Sequence, residues 1–448
     1  MQATLQAPPK DAMATTPPAT TPASPAPHSA AAQRVGALGH LRVLDLSRVL
    51  AGPWCTQNLA DMGADVIKIE KPGEGDDTRH WGPPFFADAA GASTDNACYF
   101  AACNRNKRSV TMDMATPEGQ ELIRELACQS DVLVENFKTG GLARYGLDYA
   151  SLSRLNPRLI YCSVTGFGQT GPYASRAGYD MLVQAMSGLM SITGHADAEP
   201  GGGPLRVGVA VIDLFTGMYA TSAILSALEA RHHTGRGQHI DMALLDVAMA
   251  ILANQGTGYL NSGSVPQRQG NTHPSVVPYQ DFPTQDGNVL LAIGNDGQFA
   301  RFCAAAGVDW AQDARFTTNA GRVKHRDTLI PMMSALTRTR PMAEWVRLLE
   351  DKAVPCGPIN HIGQAFDDPQ VQYRGLRVEQ ERYPGAQPPA GEHVNRVVTT
   401  ASPMRLSDTP PTLRHAPPAL GQHTEQVLRE RLGVDAQRMA ALRAKGVV

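Results

Sequence analysis

A chain of 448 residues carrying 40 Lys plus Arg against 42 Asp plus Glu is long enough for two or three domains, and with a net charge of -2 and no basic stripe it is not built to bind nucleic acid. Its seven cysteines form no Cys-x-x-Cys pair, which suits a reducing cytoplasm, and no cluster of His, Cys or acidic residues has metal-ligand spacing, so no metal is expected. The longest apolar stretch read from the sequence, ALLDVAMAILA at 243–253, is shorter than the about 20 residues needed to cross a bilayer and contains Asp246, so no membrane association is expected.

Residues 1–34 are almost wholly Ala, Pro, Thr and Ser, with too few large apolar groups to offset the entropy of ordering, and are expected to form a disordered tail. The tail has neither the apolar core of a secretory signal nor the arginines of a transit peptide, which again points to the cytoplasm. From residue 41 short aliphatic runs alternate with helical stretches. LRVLDLS (41–47), ADVIKIE (64–70), SVTMDM (109–114), DVLVENF (131–137), LIYCSV (159–164) and HIDMAL (239–244) read as strands. Helices are predicted from Gly52 to about Met62, after Thr116 as N-cap with Pro117 at N1, over 148–155, and over 213–231. The pattern is α/β: a Rossmann-like, doubly wound large domain over 35–255. YQDFPTQDGNVLLAIG has two strand-like arms about Asp286-Gly287 and opens a smaller α/β domain, 265–345. The helix PMAEWVRLLED (341–351) and the turn VPCGPI lead to a Pro-rich C-terminal segment, 355–448, with a helix from His423.

The first strand-turn-helix reads SRVLAGPWCTQNLADMG and lacks the GxGxxG that lets backbone approach a dinucleotide pyrophosphate, which disfavours a nicotinamide enzyme. Lys71, Arg79, Arg105, Lys107, Arg108, Lys138 and Arg144 are candidate partners for nucleotide phosphates, or simply exposed charge. Asp180, Asp213 and Asp246 each stand at the head of an apolar helical stretch, where a cap is the ordinary role. Asp213 is the most suggestive of the three. It follows an uncharged run and begins a long helix whose dipole would keep it ionised, and an ionised carboxylate in a dry pocket is a competent nucleophile.

The runs RVLDLSRVLAGPWCTQNLADMGADVIKIEKPGEGDDTR, NKRSVTMDMATPEGQELI, DVLVENFKTGGLARYGLDYASLSRLNPRLIYCSVTGFGQTGPY, HHTGRGQHIDMALLD and LGQHTEQVL resemble the family III CoA-transferases, to which formyl-CoA transferase and carnitine CoA-transferase belong. The resemblance spreads over nearly everything after residue 35. It implies a large domain built from both ends of the chain and an interlocked homodimer of ring-shaped subunits. It implies Asp213 as the acyl-anhydride nucleophile. CoA contacts are implied at Leu50 and Ala51 through backbone, at Lys71, at the Met112 to Ala115 segment, at Asn136, Phe137 and Lys138, and at Arg144, with Tyr179 and Asp180 lining the thioester end. Ala115 stands where some relatives carry Lys, and QGNTHPSVVPYQ (269–280) replaces a glycine-rich loop, which argues against oxalate and formyl-CoA.

The implied reaction moves CoA from an acyl-CoA donor to a carboxylic acid, with CoA as substrate and no resident cofactor. Backbone amides at the head of the Asp213 helix are expected to serve the tetrahedral oxyanions. Succinyl-CoA is the expected donor and a small dicarboxylate the acceptor, with Arg206, His273 and Tyr279 as candidate acyl-pocket residues. Two other readings stay open. An α-methylacyl-CoA racemase needs an acid/base pair, and this chain places Tyr179, with an ordinary pKa of about 10, where that branch has His. A catalytically silent CoA-binding protein would have no use for Asp213.

Overall fold

Each aliphatic run becomes a strand of one sheet: β1 (Arg42–Asp45), β2 (Asp65–Glu70), β3 (Lys107–Thr111), β4 (Val132–Glu135), β5 (Ile160–Thr165) and β6 (His239–Ala243). All pairings are parallel, and the strands lie in the order β3-β2-β1-β4-β5-β6. This is the doubly wound order in which ligands sit beyond the carboxyl ends of the strands, where the winding reverses between β1 and β4. The structure, a computed structural model, describes residues 36–88, 90–389 and 391–448; the tail expected at 1–34 lies outside the described residues.

Helices pack on both faces, as a parallel sheet requires. In chain order they include α1 (Ala51–Asp61), α2 (Pro117–Cys128), α3 (Asp180–Met186), α4 (Val211–Thr234), α5 (Leu244–Ala250), and, near the C-terminus, α6 (Thr424–Leu432) and α7 (Ala436–Ala444). One core joins Cys55 and Leu59 of α1 to Ile212, Ala220 and Ile224 of α4 across Val66 and Val134. The other joins Leu122 and Leu126 of α2 to Leu428 of α6 and Leu442 of α7 across Ile67 and Leu133. The last helices of the chain thus cover the same sheet as the first strands. α2 begins as its sequence predicts, the Thr116 hydroxyl accepting from the Gly119 N–H at 3.1 Å with Pro117 in the first turn.

α4 differs from expectation. It starts two residues before Asp213 and runs 24 residues, with a mean hydropathy of 1.5 over its most apolar stretch, long and apolar enough by those measures to cross a membrane. Here it lies along α1 and across β5 and β6 as a layer of the fold. Gly217 lets it approach α1, because a Cβ there would stand 2.8 Å from the Ala51 carbonyl oxygen. The close crossing puts the head of α4, with Asp213, beside the start of α1.

The hairpin predicted about Asp286-Gly287 forms β7 (Tyr279–Pro283) and β8 (Asn288–Ala292). The segment VPCGPI, expected to be a turn, instead adds β9 (Cys356–Pro358) antiparallel to β8. Residues 277–354 build a core of their own around Phe282, Phe299, Phe302, Phe316 and Trp345.

Candidate active site

Beyond the carboxyl ends of β1 and β4 opens a cleft of about 980 Å³, at the upper end of the roughly 300–1,000 Å³ usual for small-molecule sites. Its walls are the 48–51 turn after β1, the 112–115 segment after β3, the 136–145 loop after β4, and the 174–179 segment, with Asp213 among the lining residues.

The 47–51 turn rests on buried charge. Asp45 accepts from the Lys107 ammonium at 3.0 Å, and Lys68 pairs with Asp76 at 2.9 Å, all four side chains being fully buried. Burial opposes ionisation of Asp45, yet Lys107, Lys68 and the Ser47 and Thr56 hydroxyls outweigh it and hold the carboxyl down to about 2. Lys68 also donates to the Ser47 carbonyl at 2.7 Å. Asn136 brackets the next residue, accepting from the Arg48 N–H at 2.8 Å and donating to its carbonyl at 2.7 Å. Asn136 lines the cleft and also fixes the turn that faces it.

Four of the cations considered for phosphates are taken up inside the fold. Arg79 forks onto Glu70 at 2.7 Å through two nitrogens and lies 3.6 Å from the Phe100 ring centroid. Arg105 pairs with Asp61, Lys107 with Asp45, and Arg108 with Asp65 and Glu430. Lys71, paired with Glu74 on the surface, lines the cleft, as do Lys138 and Arg144. Among the described residues neither Lys138 nor Arg144 has a carboxylate partner; Arg144 stacks on Tyr145.

Asp213 sits in the first turn of α4, partly buried. Every amide of that turn is occupied. Val211 donates to the Val209 carbonyl and Leu214 to the Ala210 carbonyl. Ile212 and Asp213 donate to Asp180 Oδ1 at 2.7 and 3.2 Å. The amides expected to cradle an oxyanion are therefore spent on a carboxylate from α3 and on local turns. Asp180 is itself fixed by the Gln184 side chain, whose Oε1 accepts from the Val207 N–H at 2.9 Å. The dipole was expected to keep Asp213 ionised; instead burial, followed by the negative charge of Asp180, pushes its carboxyl up to about 7.

Of the residues singled out in the sequence, Leu50, Ala51, Lys71, Met112, Asn136, Phe137, Lys138, Arg144, Tyr179 and Asp213 line this one cleft. Asp180 stands behind Asp213 as described. Arg206 bonds the Val207 and Gly208 carbonyls, and His273 packs on Tyr279 at 5.5 Å, all three outside the lining. Two further residues had no motif to flag them. Tyr99 has its phenol pushed up to about 12, by burial first and then by the nearby charge of Asp213. Arg176, on the wall that ends in Tyr179, lies over Tyr173 at 4.5 Å and Phe167 at 5.2 Å and has no carboxylate partner among the described residues.

Comparison with known proteins gives a consistent picture. The chain is 52% identical over 394 residues to the succinate–glutarate CoA-transferase of Agrobacterium fabrum, covering 88% of this chain and 95% of that one. It is 41% identical over 409 residues to the succinyl-CoA:glutarate CoA-transferase of Homo sapiens, covering 91% and 89%. A crystal structure of a CaiB/BaiF family protein from Brucella suis superposes with a TM-score of 0.77 at 46% identity, covering 89% of this chain and all of that one. The model of CoA-transferase family III matches residues 38–424, and with the cleft and its carboxylate in the places described, the chain belongs to that family.

Proposed function

We propose that the protein moves CoA from succinyl-CoA to a small dicarboxylic acid through the Asp213 carboxylate. The observation that carries this is a partly buried carboxylate at the wall of a cleft whose other walls hold Lys138 and Arg144, neither of which has a carboxylate partner among the described residues. In the proposed sequence Asp213 attacks the donor thioester carbonyl, expelling CoA thiolate and forming a mixed anhydride. The thiolate attacks the aspartyl carbonyl, releasing the donor acid and leaving an aspartyl-CoA thioester. The acceptor carboxylate attacks that thioester, giving a second anhydride and thiolate. Attack of the thiolate on the acceptor's acyl carbon yields the new acyl-CoA and restores Asp213. Water must be excluded throughout, since either anhydride hydrolyses readily. A racemase would need a base at 179–180, but Tyr179 is exposed and Asp180 already accepts from three donors.

The cations divide between the walls. Lys71, Lys138 and Arg144 suit the phosphates of CoA, while Arg176, on the 174–179 wall that runs on to Asp180, suits the distal carboxylate of a diacid. The names of the relatives agree with a dicarboxylate. With succinyl-CoA as common donor, glutarate should be converted and pentanoate poorly. Arg176→Gln should lower kcat/KM for glutarate by 10- to 150-fold, the loss of a charged hydrogen bond of about 1.5–3 kcal/mol, and leave pentanoate within about threefold. Equal loss for both acceptors removes Arg176 from this role; absence of any dicarboxylate turnover in the wild type removes the substrate class.

The unit built from both chain ends and the smaller 277–354 core are proposed to work within a homodimer. A single chain leaves Met181, Val209, Phe215, Met218, Met249 and Leu260 exposed along α3, α4, α5 and the residues that follow them, an apolar surface that a second copy would cover. Sedimentation should show a dimer at nanomolar concentration, and a stable, active monomer would overturn this.

A further inference from the structure

Val49, between β1 and α1, has φ +71°, a left-handed backbone that a β-branched residue adopts only when something else imposes it. The surroundings show what imposes it. The Val49 N–H donates to both oxygens of Asp76, at 3.2 and 3.3 Å. The same carboxylate accepts from the Thr78 N–H at 3.0 Å, from the Thr78 hydroxyl at 2.8 Å and from the Lys68 ammonium, and the Asp76 N–H donates to Glu70 at 3.0 Å. Lys68 ties the Ser47 carbonyl to this centre, and the Cys103 thiol faces the Val49 carbonyl at 3.5 Å. Ser47 and Val49 are thus held by side chains from three different parts of the chain, Lys68, Asp76 and Cys103, with Asp76 at the centre and itself fully buried. Directly after the left-handed residue, Leu50 and Ala51 turn into the cleft and begin α1, which no side chain caps.

We propose that Asp76 is a positioning residue for the bound thioester: its carboxylate stabilises the left-handed turn at Val49 and so aims the backbone at the head of α1 into the cleft. This rests on the reading of the cleft as an acyl-CoA site. The network has a second purpose that must be separated from the first, since Asp76 also neutralises the buried Lys68. A glycine at 49 separates them, because glycine takes positive φ without penalty and has no need of the carboxylate.

The test is steady-state transfer with acyl-CoA varied. Asp76→Asn should raise KM for acyl-CoA at least ~10-fold with kcat within about threefold, the split expected when binding geometry alone is disturbed. Adding Val49→Gly should bring KM back to within about threefold of wild type. If Asp76→Asn does not fold, the same rescue is measured in Lys68→Met/Asp76→Asn, which removes both buried charges. Failure of Val49→Gly to restore KM in a folded background, or an unchanged KM in Asp76→Asn, overturns the proposal and leaves Asp76 as a counter-ion. A wild-type protein with no saturable acyl-CoA dependence takes the functional reading down with it and is seen in the control.

Discussion

Asp213→Ala should abolish CoA transfer, with a loss of at least ~10³-fold in kcat, because removing a covalent nucleophile leaves only binding and orientation. Incubating the wild type with succinyl-CoA and hydroxylamine, without acceptor, should place a hydroxamate on Asp213, detectable by mass spectrometry of its tryptic peptide. The Ala variant should carry no label anywhere. Near wild-type transfer by this variant, or a label on Asp180, would show that another group carries the acyl chain.

The label should also report the environment of Asp213. Only the carboxylate attacks, and burial together with Asp180 pushes this carboxyl up to about 7. The rate of labelling should therefore fall about tenfold per pH unit below 7 and level off above it. Asp180→Asn removes one of the two causes and should move the inflection to lower pH. Glu135 is a second carboxyl that burial pushes up to about 7, against the pull of Ser163 and of the Phe137 amide, 2.8 Å away. Glu135→Gln should leave the inflection in place. If it moves the inflection and Asp180→Asn does not, the group that titrates is not Asp213.

The sheet was legible in the sequence because its strands are short β-branched or aliphatic runs between helical stretches, and their alternation already implies parallel pairing. Helix α4 was read too short and not recognised as the most apolar, because Gly217, Ser222, Thr221 and Ser226 interrupt its apolar residues. Of these, Gly217 is what lets it approach α1, while Ser222 and Ser226 are exposed. The charges were the least legible. Lys107 and Lys138 look alike in a sequence, yet one is sealed against Asp45 and the other faces the cleft, and only distance distinguishes them. The ionisation of Asp213 was misjudged for a related reason: a dipole can be inferred from a helix start, but neither the burial of the carboxyl nor a second carboxylate 33 residues away in the chain that occupies the same amides can. Arg176 sits in a segment with no charge pattern, two residues before Gly178, one of two glycines that meet backbone to backbone.

Those two glycines support the last prediction. Gly166 follows β5 and Gly178 precedes Tyr179, and they touch backbone to backbone: a Cβ on Gly178 would lie 2.4 Å from the Gly166 Cα, and one on Gly166 would lie 2.5 Å from the Gly178 Cα. Neither has positive φ, so what each needs is space. Gly166 is tied on its other side to α5, its carbonyl accepting from the Leu245 N–H at 3.1 Å, so the strain of an added methyl falls on the 174–180 segment. Asp180 is two residues from Gly178 and holds the amides of Ile212 and Asp213. Gly178→Ala should therefore lower kcat about 10²-fold, the usual consequence of displacing a reacting group by about 1 Å. KM for acyl-CoA should change less than kcat, since the 136–145 wall with Lys138 and Arg144 is untouched. Gly208→Ala, whose Cβ would meet nothing within 4 Å, is the matched control in the segment leading to α4 and should be silent. Wild-type kcat in Gly178→Ala would mean that the position of Asp213 does not depend on this contact.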